Sequence, residues 1–359
     1  MMLPSDWPGG FWWHWLVFTV IIIAFVLTLV MGLIWIERRG MGRMQARLGP
    51  NRVGPFGLLQ PVADAIKVLL KEDIVPSRGD KIVHWLAPVT AFFPVLMVFA
   101  VVPFQNGALL ADLNIGILYV VAISSISTVG ILMAGWSSSN KYSLLGGLRE
   151  VAAVVSYEVP LVLSVVGVVL IAGSLSLNQI VLAQNIPFIL LQPLGFLLFF
   201  IGSCAEINRS PFDLFEADSE LVAGFHTEYS GMKFAMFYLT EYGEALALSA
   251  IITTLFLSGW RGPILPPWLW FVLKTIVVFF VMVWTRTTLP RIRIDQLMAL
   301  AWKFLFPLAI INLFITAIEV LAWPEALPWT MTLVNIAIMA LLVLLWSKFF
   351  KLGWGRVAV

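Results

Sequence analysis

Residues 12–36 read WWHWLVFTVIIIAFVLTLVMGLIWI and are followed at once by Glu37-Arg38-Arg39. A continuous apolar run of this length can cross the hydrocarbon core of a bilayer, which takes about 20 residues of helix. Eight further runs follow, and because they are continuous rather than alternating they predict helices and not strands. The predicted spans are 12–36, 84–102, 115–135, 151–171, 188–205, 234–257, 268–284, 304–321 and 331–346.

These spans leave no room for a separate soluble domain in a chain of 359 residues that is 60% hydrophobic. The sequence therefore predicts an all-α polytopic membrane protein with about nine transmembrane helices. We expect residues 1–359 to form a single integral membrane domain.

The positive charges are distributed unevenly between the connecting segments. Of the 22 Lys and Arg residues, 20 lie in every second segment. Because cytoplasmic segments carry the excess of Lys and Arg, this asymmetry predicts an N-terminus outside and a C-terminus on the cytoplasmic side. The predicted cytoplasmic loops are 37–83, 137–150, 206–233 and 285–303. The cations of the last loop serve either as membrane anchors or as a docking point for an acidic peripheral protein.

The chain is poor in residues that hold redox centres. Cys204 is its only cysteine, and His14, His84 and His226 are scattered. A single thiol holds neither an iron–sulfur cluster nor a structural zinc ion, and the chain cannot form an internal disulfide. We therefore expect any redox centre to belong to partner chains.

Residues 58–72 predict an amphipathic helix that lies in the membrane interface. Apolar side chains recur at helical spacing, with Asp64, Lys67 and Lys71 at other positions. About fifteen residues are too few to cross a bilayer. Such a helix is either a brace on the membrane surface or the floor of a site for a molecule that enters from the lipid.

Carboxylates continue from the third cytoplasmic loop into the membrane. Glu158 lies about two turns inside its span, where an ionisable group is costly unless it faces protein, water or a partner charge. The loop 206–233 holds six carboxylates and two cations, and Glu241 and Glu244 share a face of the next span. Close carboxylates titrate as a coupled set. A charge run is usually a solvated loop, but its continuation into the membrane favours a proton-relay or ion-path role.

All four predicted cytoplasmic loops contain stretches that match one family. The stretches include Gln45-Ala46-Arg47-Leu48-Gly49-Pro50-Asn51-Arg52, Gly57-Leu58-Leu59-Gln60-Pro61, Asn140-Lys141-Tyr142, Ser219-Glu220-Leu221-Val222-Ala223-Gly224-Phe225 and Asp295-Gln296-Leu297-Met298. On these motifs the chain resembles the family of quinone-chamber membrane subunits of proton-translocating NADH:quinone oxidoreductase, respiratory complex I. This family supplies the membrane subunit that joins the hydrophilic arm to the membrane arm.

The resemblance implies a quinone chamber that peripheral subunits seal, and a path of carboxylates that leads from it. By the family's pattern the quinone tunnel is lined by Glu37, Arg38, Arg47, Asp64 and Arg293. The proton relay comprises Glu158, Asp213, Glu216, Asp218, Glu220, Glu228 and Glu241. No residue of this chain is expected to be catalytic in isolation, and no metal is expected.

The resemblance also implies the surroundings of the chain. The substrate is a quinone, either ubiquinone or menaquinone, while FMN and the iron–sulfur clusters lie only in partner subunits. The partners are other complex I subunits, including antiporter-like ones, and membrane lipids, with no nucleic acid. The expected location is a bacterial cytoplasmic (inner) membrane, because nothing resembles a mitochondrial transit peptide. The span 331–346 is expected to be a C-terminal extension.

Two other functions compete with this one. The related membrane subunit of a membrane-bound hydrogenase or similar dehydrogenase shares the acidic loop but is expected to match less well across residues 37–64. A stand-alone cation transporter typically has paired interrupted helices, which the sequence does not suggest. The chain departs from the family pattern at Phe215, Asp218 and His226, and His226 is a titratable group added beside the acidic run.

Overall fold

The computed structural model describes residues 12–107, 109–213, 222–323 and 331–349. Within these ranges the chain is helical and contains no strand. The helices are α1 (Trp12–Met44), α2 (Gln60–Leu69), α3 (Lys81–Val98), α4 (Gly116–Ser137), α5 (Lys141–Ala172), α6 (Leu177–Ala183), α7 (Phe188–Leu191), α8 (Pro193–Glu206), α9 (Gly231–Phe256), α10 (Pro267–Thr288), α11 (Ile294–Ala299), α12 (Phe306–Ala322) and α13 (Met331–Phe349). A π-helical turn, Leu300–Leu305, joins α11 to α12.

Six helical stretches in the described residues are long and apolar enough to cross a membrane. They are α1, α3, α4, α5, α10 and the continuous stretch from α11 to α12. Helices α8 and α13 are apolar but shorter, and α9 is 26 residues long but carries Glu241 and Glu244. The all-α polytopic fold is therefore confirmed, whereas the count of nine spans and the orientation stay predictions.

Helix α5 begins earlier than the sequence suggested. The sequence predicts a short polar loop over 137–150 and a span that begins at Val151, but α5 already starts at Lys141 and runs for 32 residues. The side chain of Asn140 caps it, because its Oδ1 accepts a hydrogen bond from the backbone N–H of Tyr142 at 3.0 Å. This early start places Glu150 inside the helix, where it is buried.

The predicted span 188–205 is interrupted, so the expectation of unbroken spans is wrong here. Helix α7 ends at Leu191 and α8 begins at Pro193, which has no N–H to continue the helical bonding. Polar groups at this break form hydrogen bonds with side chains of later helices. The side chain of Asn335 in α13 donates to the carbonyl oxygen of Leu191 at 2.6 Å, and Gln192 donates to the hydroxyl of Thr316 in α12 at 2.8 Å.

The predicted amphipathic helix is present but shorter than 58–72, because α2 covers only Gln60–Leu69. Pro61 lies in its first turn, where a missing N–H costs nothing. Its apolar side chains Val62, Ile66 and Leu69 are more than two-fifths exposed. Helix α2 packs against α1 and α9. It therefore lies beside the C-terminal part of α1, which carries Glu37 and Arg38.

The interior of the bundle is held by close helix contacts and by a few buried polar links. Gly130 of α4 packs directly on α3, where an added Cβ would lie 2.6 Å from the backbone nitrogen of Ala91. The fully buried Tyr157 of α5 donates from its hydroxyl to the carbonyl oxygen of Leu297 at 2.9 Å. This hydrogen bond connects α5 to α11.

Candidate functional site

Four charged side chains from distant parts of the chain meet, two of them buried and two about a fifth to a quarter exposed. Glu37 of α1 is fully buried, and each of its carboxylate oxygens accepts a hydrogen bond from an arginine. Arg209, in the loop after α8, and Arg286, in α10, each donate at 2.5 Å. The Nε of Arg209 also lies 3.3 Å from a carboxylate oxygen of Glu241 in α9. We call these four residues the buried charge cluster.

The buried charge cluster has two carboxylates and two guanidinium groups, so its formal charge is zero. Isolated buried charges cost several kcal/mol each, and only close pairing offsets that cost. The guanidinium carbon of Arg209 also lies 4.4 Å from the ring centroid of Tyr242. Burial alone would lower the pKa of Arg209, but Glu241 and Glu37 raise it above its ordinary value, so Arg209 stays positive.

A second ion pair ties α2 to α1. Arg38 donates to Asp64 at 2.5 Å, and Gln60 donates to the other carboxylate oxygen of Asp64 at 3.0 Å. Arg38 also lies close enough to Tyr238 of α9 to interact with it, and the hydroxyl of Tyr238 lies 3.2 Å from that of Tyr242. A chain of polar contacts therefore runs from the amphipathic helix to the aromatic ring beside Arg209.

The structure separates the predicted tunnel residues into two groups. Glu37, Arg38 and Asp64 lie together and connect to the buried charge cluster. Arg47 and Arg293 are exposed, and neither side chain contacts that cluster within the described ranges. Their placement in the tunnel therefore stays a prediction from the family's pattern.

From the buried charge cluster, carboxylates continue into the bundle. Glu244 follows Glu241 on the same face of α9 and lines a cavity together with Ser127 of α4. Glu206, at the end of α8, is within electrostatic range of both Glu244 and Glu158. Glu158 in turn accepts a short hydrogen bond from the hydroxyl of Ser125. We call Glu241, Glu244, Glu206 and Glu158 the acidic path.

Two small cavities accompany the acidic path, and Glu244 lines both. One, of about 50 Å³, also contains Glu206 and Ser127, while the other, again of about 50 Å³, contains Glu150 and Glu241. A volume of this size holds a few water molecules. One oxygen of Glu206 is buried without a hydrogen-bond partner among the described residues, and such a group is normally satisfied by water.

The remaining predicted relay residues lie in different places. Asp213 pairs with Arg291 at 3.1 Å and is within electrostatic range of Glu241. Glu228 accepts a hydrogen bond from Asn140 at 2.8 Å, in a separate group near the start of α5. Three further relay residues, Glu216, Asp218 and Glu220, lie outside the described residues. The roles of all these residues stay predictions.

Four residues of this site were not predicted from the sequence. Arg209 and Arg286 were counted only as cytoplasmic charges, and Glu206 and Glu244 were noticed without being assigned to the relay. One signal was available, since Arg209 is the single Lys or Arg among the residues 206–232 and faces a run of acids. No sequence pattern links Arg286 to Glu37, because 249 positions separate them.

His226, in the 3₁₀ turn Gly224–His226, is partly buried. Its ring packs edge-on against Phe225 and Phe234. Burial lowers the pKa of His226 to about 4, so the imidazole is neutral at pH 7. Nearby Tyr229 is also buried, which raises the pKa of its hydroxyl to about 12.

These observations define a class: a polytopic membrane protein in which a neutral cluster of buried charges continues into a file of intramembrane carboxylates. A family model narrows the class further. The model described as NADH dehydrogenase matches residues 17–317, and the chain belongs to this family. The match confirms the resemblance drawn from the loop motifs.

Curated relatives share most of the chain. A Dehalococcoides mccartyi protein named as a subunit of NADH-quinone oxidoreductase is 60% identical over 351 residues, which cover 98% of this chain and 99% of the relative. A Bacillus thuringiensis protein of the same name is 51% identical over 321 residues, 88% of this chain and 96% of the relative. The family model ends at residue 317, before α13, whereas the alignment of 351 out of 359 residues includes α13.

Proposed function

We propose that this chain is the membrane subunit of an NADH:quinone oxidoreductase that forms part of the quinone tunnel and couples quinone reduction to proton translocation. The relatives' names support the assignment to such an enzyme. The single observation that carries the coupling role is the buried charge cluster. Its member Glu37 is a predicted tunnel residue, and its member Glu241 is the first residue of the acidic path.

The tunnel side of the proposal rests on Glu37, Arg38 and Asp64. Helix α2 exposes apolar side chains beside these charges, as suits a substrate that has a lipid-soluble tail and a polar headgroup. The nearby guanidinium groups would stabilise the negative charge that the headgroup acquires when it is reduced.

The coupling step needs only a change of charge near the cluster. A unit charge about 10 Å away, at an effective dielectric constant of about 20, contributes roughly 1.7 kcal/mol. That energy corresponds to a change of roughly 15- to 20-fold in a proton-binding equilibrium. A negative headgroup that attracts Arg38 or Arg286 would therefore alter the pairing of Glu37 and Glu241, and the carboxyl groups beyond them would respond by exchanging protons.

We also infer the substrate, the partner subunits and the membrane of this chain. Quinone is a substrate, and electrons reach it from iron–sulfur clusters and FMN in peripheral subunits. Partner subunits cover the cytoplasmic loops, and antiporter-like subunits receive the output of the acidic path. The apolar helices indicate a membrane location, and we place the chain in a bacterial cytoplasmic membrane.

Glu158→Gln in the intact complex tests the acidic path. Glutamine preserves the hydrogen bond from Ser125 but cannot exchange a proton. We expect NADH-driven quinone reduction and proton pumping in sealed vesicles to fall about tenfold or more. Electron transfer from NADH to ferricyanide, which needs only the peripheral arm, should be unchanged.

Glu319→Gln is the matched control. Glu319 is another buried carboxyl residue, but it lies in α12 beside Asn335 and away from the acidic path. It should retain pumping. Normal pumping in the Glu158 variant would refute the relay assignment, and equal losses in both variants would indicate a general packing defect instead.

A further inference from the structure

A groove of about 520 Å³ lies between α1, the turn Pro55–Gly57 and α10. Its lining includes Trp35, Ile36, Arg39, Arg43, Phe56 and Phe280. Positions 36, 40 and 43 share one face of α1, while Glu37 and Arg38 point to other faces because each residue turns a helix by about 100°. The groove is therefore separate from the buried charge cluster and from the pair formed by Arg38 and Asp64.

Arg39 is held in position by the turn across the groove. Its guanidinium donates to the carbonyl oxygen of Phe56 at 2.7 Å and lies 5.1 Å from the centroid of the Phe56 ring. The indole nitrogen of Trp35 donates to the same carbonyl oxygen at 3.1 Å. Arg43 is exposed. Within the described residues neither Arg39 nor Arg43 has a carboxylate within ion-pair distance.

The turn that forms the groove wall is strained. Phe56 has φ +56°, in the left-handed region that costs a residue with a side chain about 1 kcal/mol or more. Gly57 follows at φ +75°, and a Cβ there would lie 2.3 Å from the carbonyl oxygen of Pro50. The Phe56 ring is 68% exposed, so the bundle interior gains no packing from this geometry. Its visible effect is to place an aromatic wall and a carbonyl oxygen beside Arg39.

We propose that this groove binds one anionic phospholipid of the surrounding membrane. The phosphate pairs with Arg39 and Arg43, whose planar guanidinium groups suit bidentate contact with phosphate oxygens. One acyl chain lies along Ile36, Trp35 and Phe280. A zwitterionic lipid would leave the charge of the two arginines uncompensated, whereas an anionic headgroup neutralises it. Basic residues at the end of a transmembrane helix are where anionic lipids of the same leaflet are attracted.

The test uses the intact complex in nanodiscs of phosphatidylcholine that contain a few per cent of phosphatidylglycerol with a photoreactive acyl chain. Cross-linked lipid is mapped by mass spectrometry of the peptides that contain Trp35, Phe56 and Phe280. Each basic residue near the surface changes anionic lipid binding by about fivefold. We therefore expect Arg43→Gln to reduce labelling about fivefold, and Arg39→Gln together with Arg43→Gln to reduce it about 30-fold.

Two controls decide the outcome. Arg52→Gln removes the same charge from an exposed position of the same loop, outside the groove, and should leave labelling unchanged. Excess ubiquinone should not compete. Four results would overturn the proposal: no labelling of the wild-type groove, equal labelling by a photoreactive phosphatidylcholine, equal effects of the Arg43 and Arg52 variants, or competition by ubiquinone. The last result would assign the groove to the quinone pathway. Because the Arg43 side chain is exposed, its variant tests binding without disturbing the fold.

Discussion

Replacing Glu37 by glutamine removes a carboxylate that pairs with two arginines at once. The side chain is fully buried, and Arg209 beside it is 2% exposed. After Glu37→Gln, two guanidinium groups would share the single carboxylate of Glu241, so the buried charge cluster would carry a net positive charge. Removal of one partner from a buried ion pair typically destabilises a protein by about 3–5 kcal/mol. That is a large part of a typical total stability of about 5–15 kcal/mol.

A second substitution separates the effect of charge from that of shape. Arg286→Gln in the Glu37→Gln background restores neutrality, because Arg209 and Glu241 remain as a pair at 3.3 Å. The double variant should therefore be more stable than Glu37→Gln alone, with a coupling of about 0.5–3 kcal/mol between the two positions. The comparison variant is Arg291→Gln, which breaks a pair with Asp213 in which the arginine is 39% exposed. Such a pair contributes no more than about 1 kcal/mol.

The assay compares the amount of assembled complex and its half-life in mild detergent at one temperature. We expect the order wild type, Arg291→Gln, the double variant and then Glu37→Gln, from most to least stable. Equal stability of Glu37→Gln and Arg291→Gln would contradict this order. So would a double variant that is less stable than Glu37→Gln alone, because a net charge would then not be the cause.

Two further predictions concern pH and the last helix. The pKa of His226 is lowered to about 4 in the folded chain. Between pH 6.5 and pH 4 the unfolded chain therefore takes up a proton that the folded chain does not. The free energy of unfolding should fall by at most about 3 kcal/mol as the pH falls through this window. His226→Asn should show a smaller loss of thermal stability than wild type between pH 7 and 5, and an equal loss would contradict the shift. Asn335→Leu removes the donor to the Leu191 carbonyl at the break before α8 and should cost about 0.6 kcal/mol, at most about 1.7. Limited proteolysis of the intact complex should then release α13 sooner than in Asn335→Gln, and equal rates would show that the contact contributes nothing.

Apolar runs and charge bias predict the helical class well, since a membrane helix must satisfy its backbone within one continuous segment. They fail where side chains override the local pattern. The cap at Asn140 starts α5 ten residues before the apolar run, and Pro193, directly after Gln192, divides a run that was predicted as one span. Hydropathy predicts which segments lie in an apolar environment. The ends of helices depend instead on individual hydrogen-bond donors and acceptors.

For a related reason, the sequence predicts the acids of the site but not their arginine partners. Intramembrane acids such as Glu158 and Glu241 stand out, because a charge inside an apolar run needs an explanation. Their partners do not stand out. Arg286 lies just past its predicted span and Arg209 in a loop, where arginines are ordinary. Only the folded bundle brings these two residues to Glu37, so the pairing is a property of the tertiary structure.

The carboxylates of the site differ in a way that bears on mechanism. Glu37, Glu241 and Asp213 each have an arginine partner, whereas Glu206 and Glu244, which line the cavities, have no cation partner in the part of the chain that the structure describes. A paired carboxylate responds to a nearby negative charge by a change in pairing, because arginine does not release its proton. A buried carboxylate without a counter-ion responds by exchanging a proton, since its charged form is costly. In the proposed mechanism the acids next to the tunnel therefore sense charge, and those along the cavities hold protons. Glu241 and Glu244 lie on one face of α9 and are close enough to interact. In this mechanism a change in the ion pairing of Glu241 therefore leads to proton exchange at Glu244.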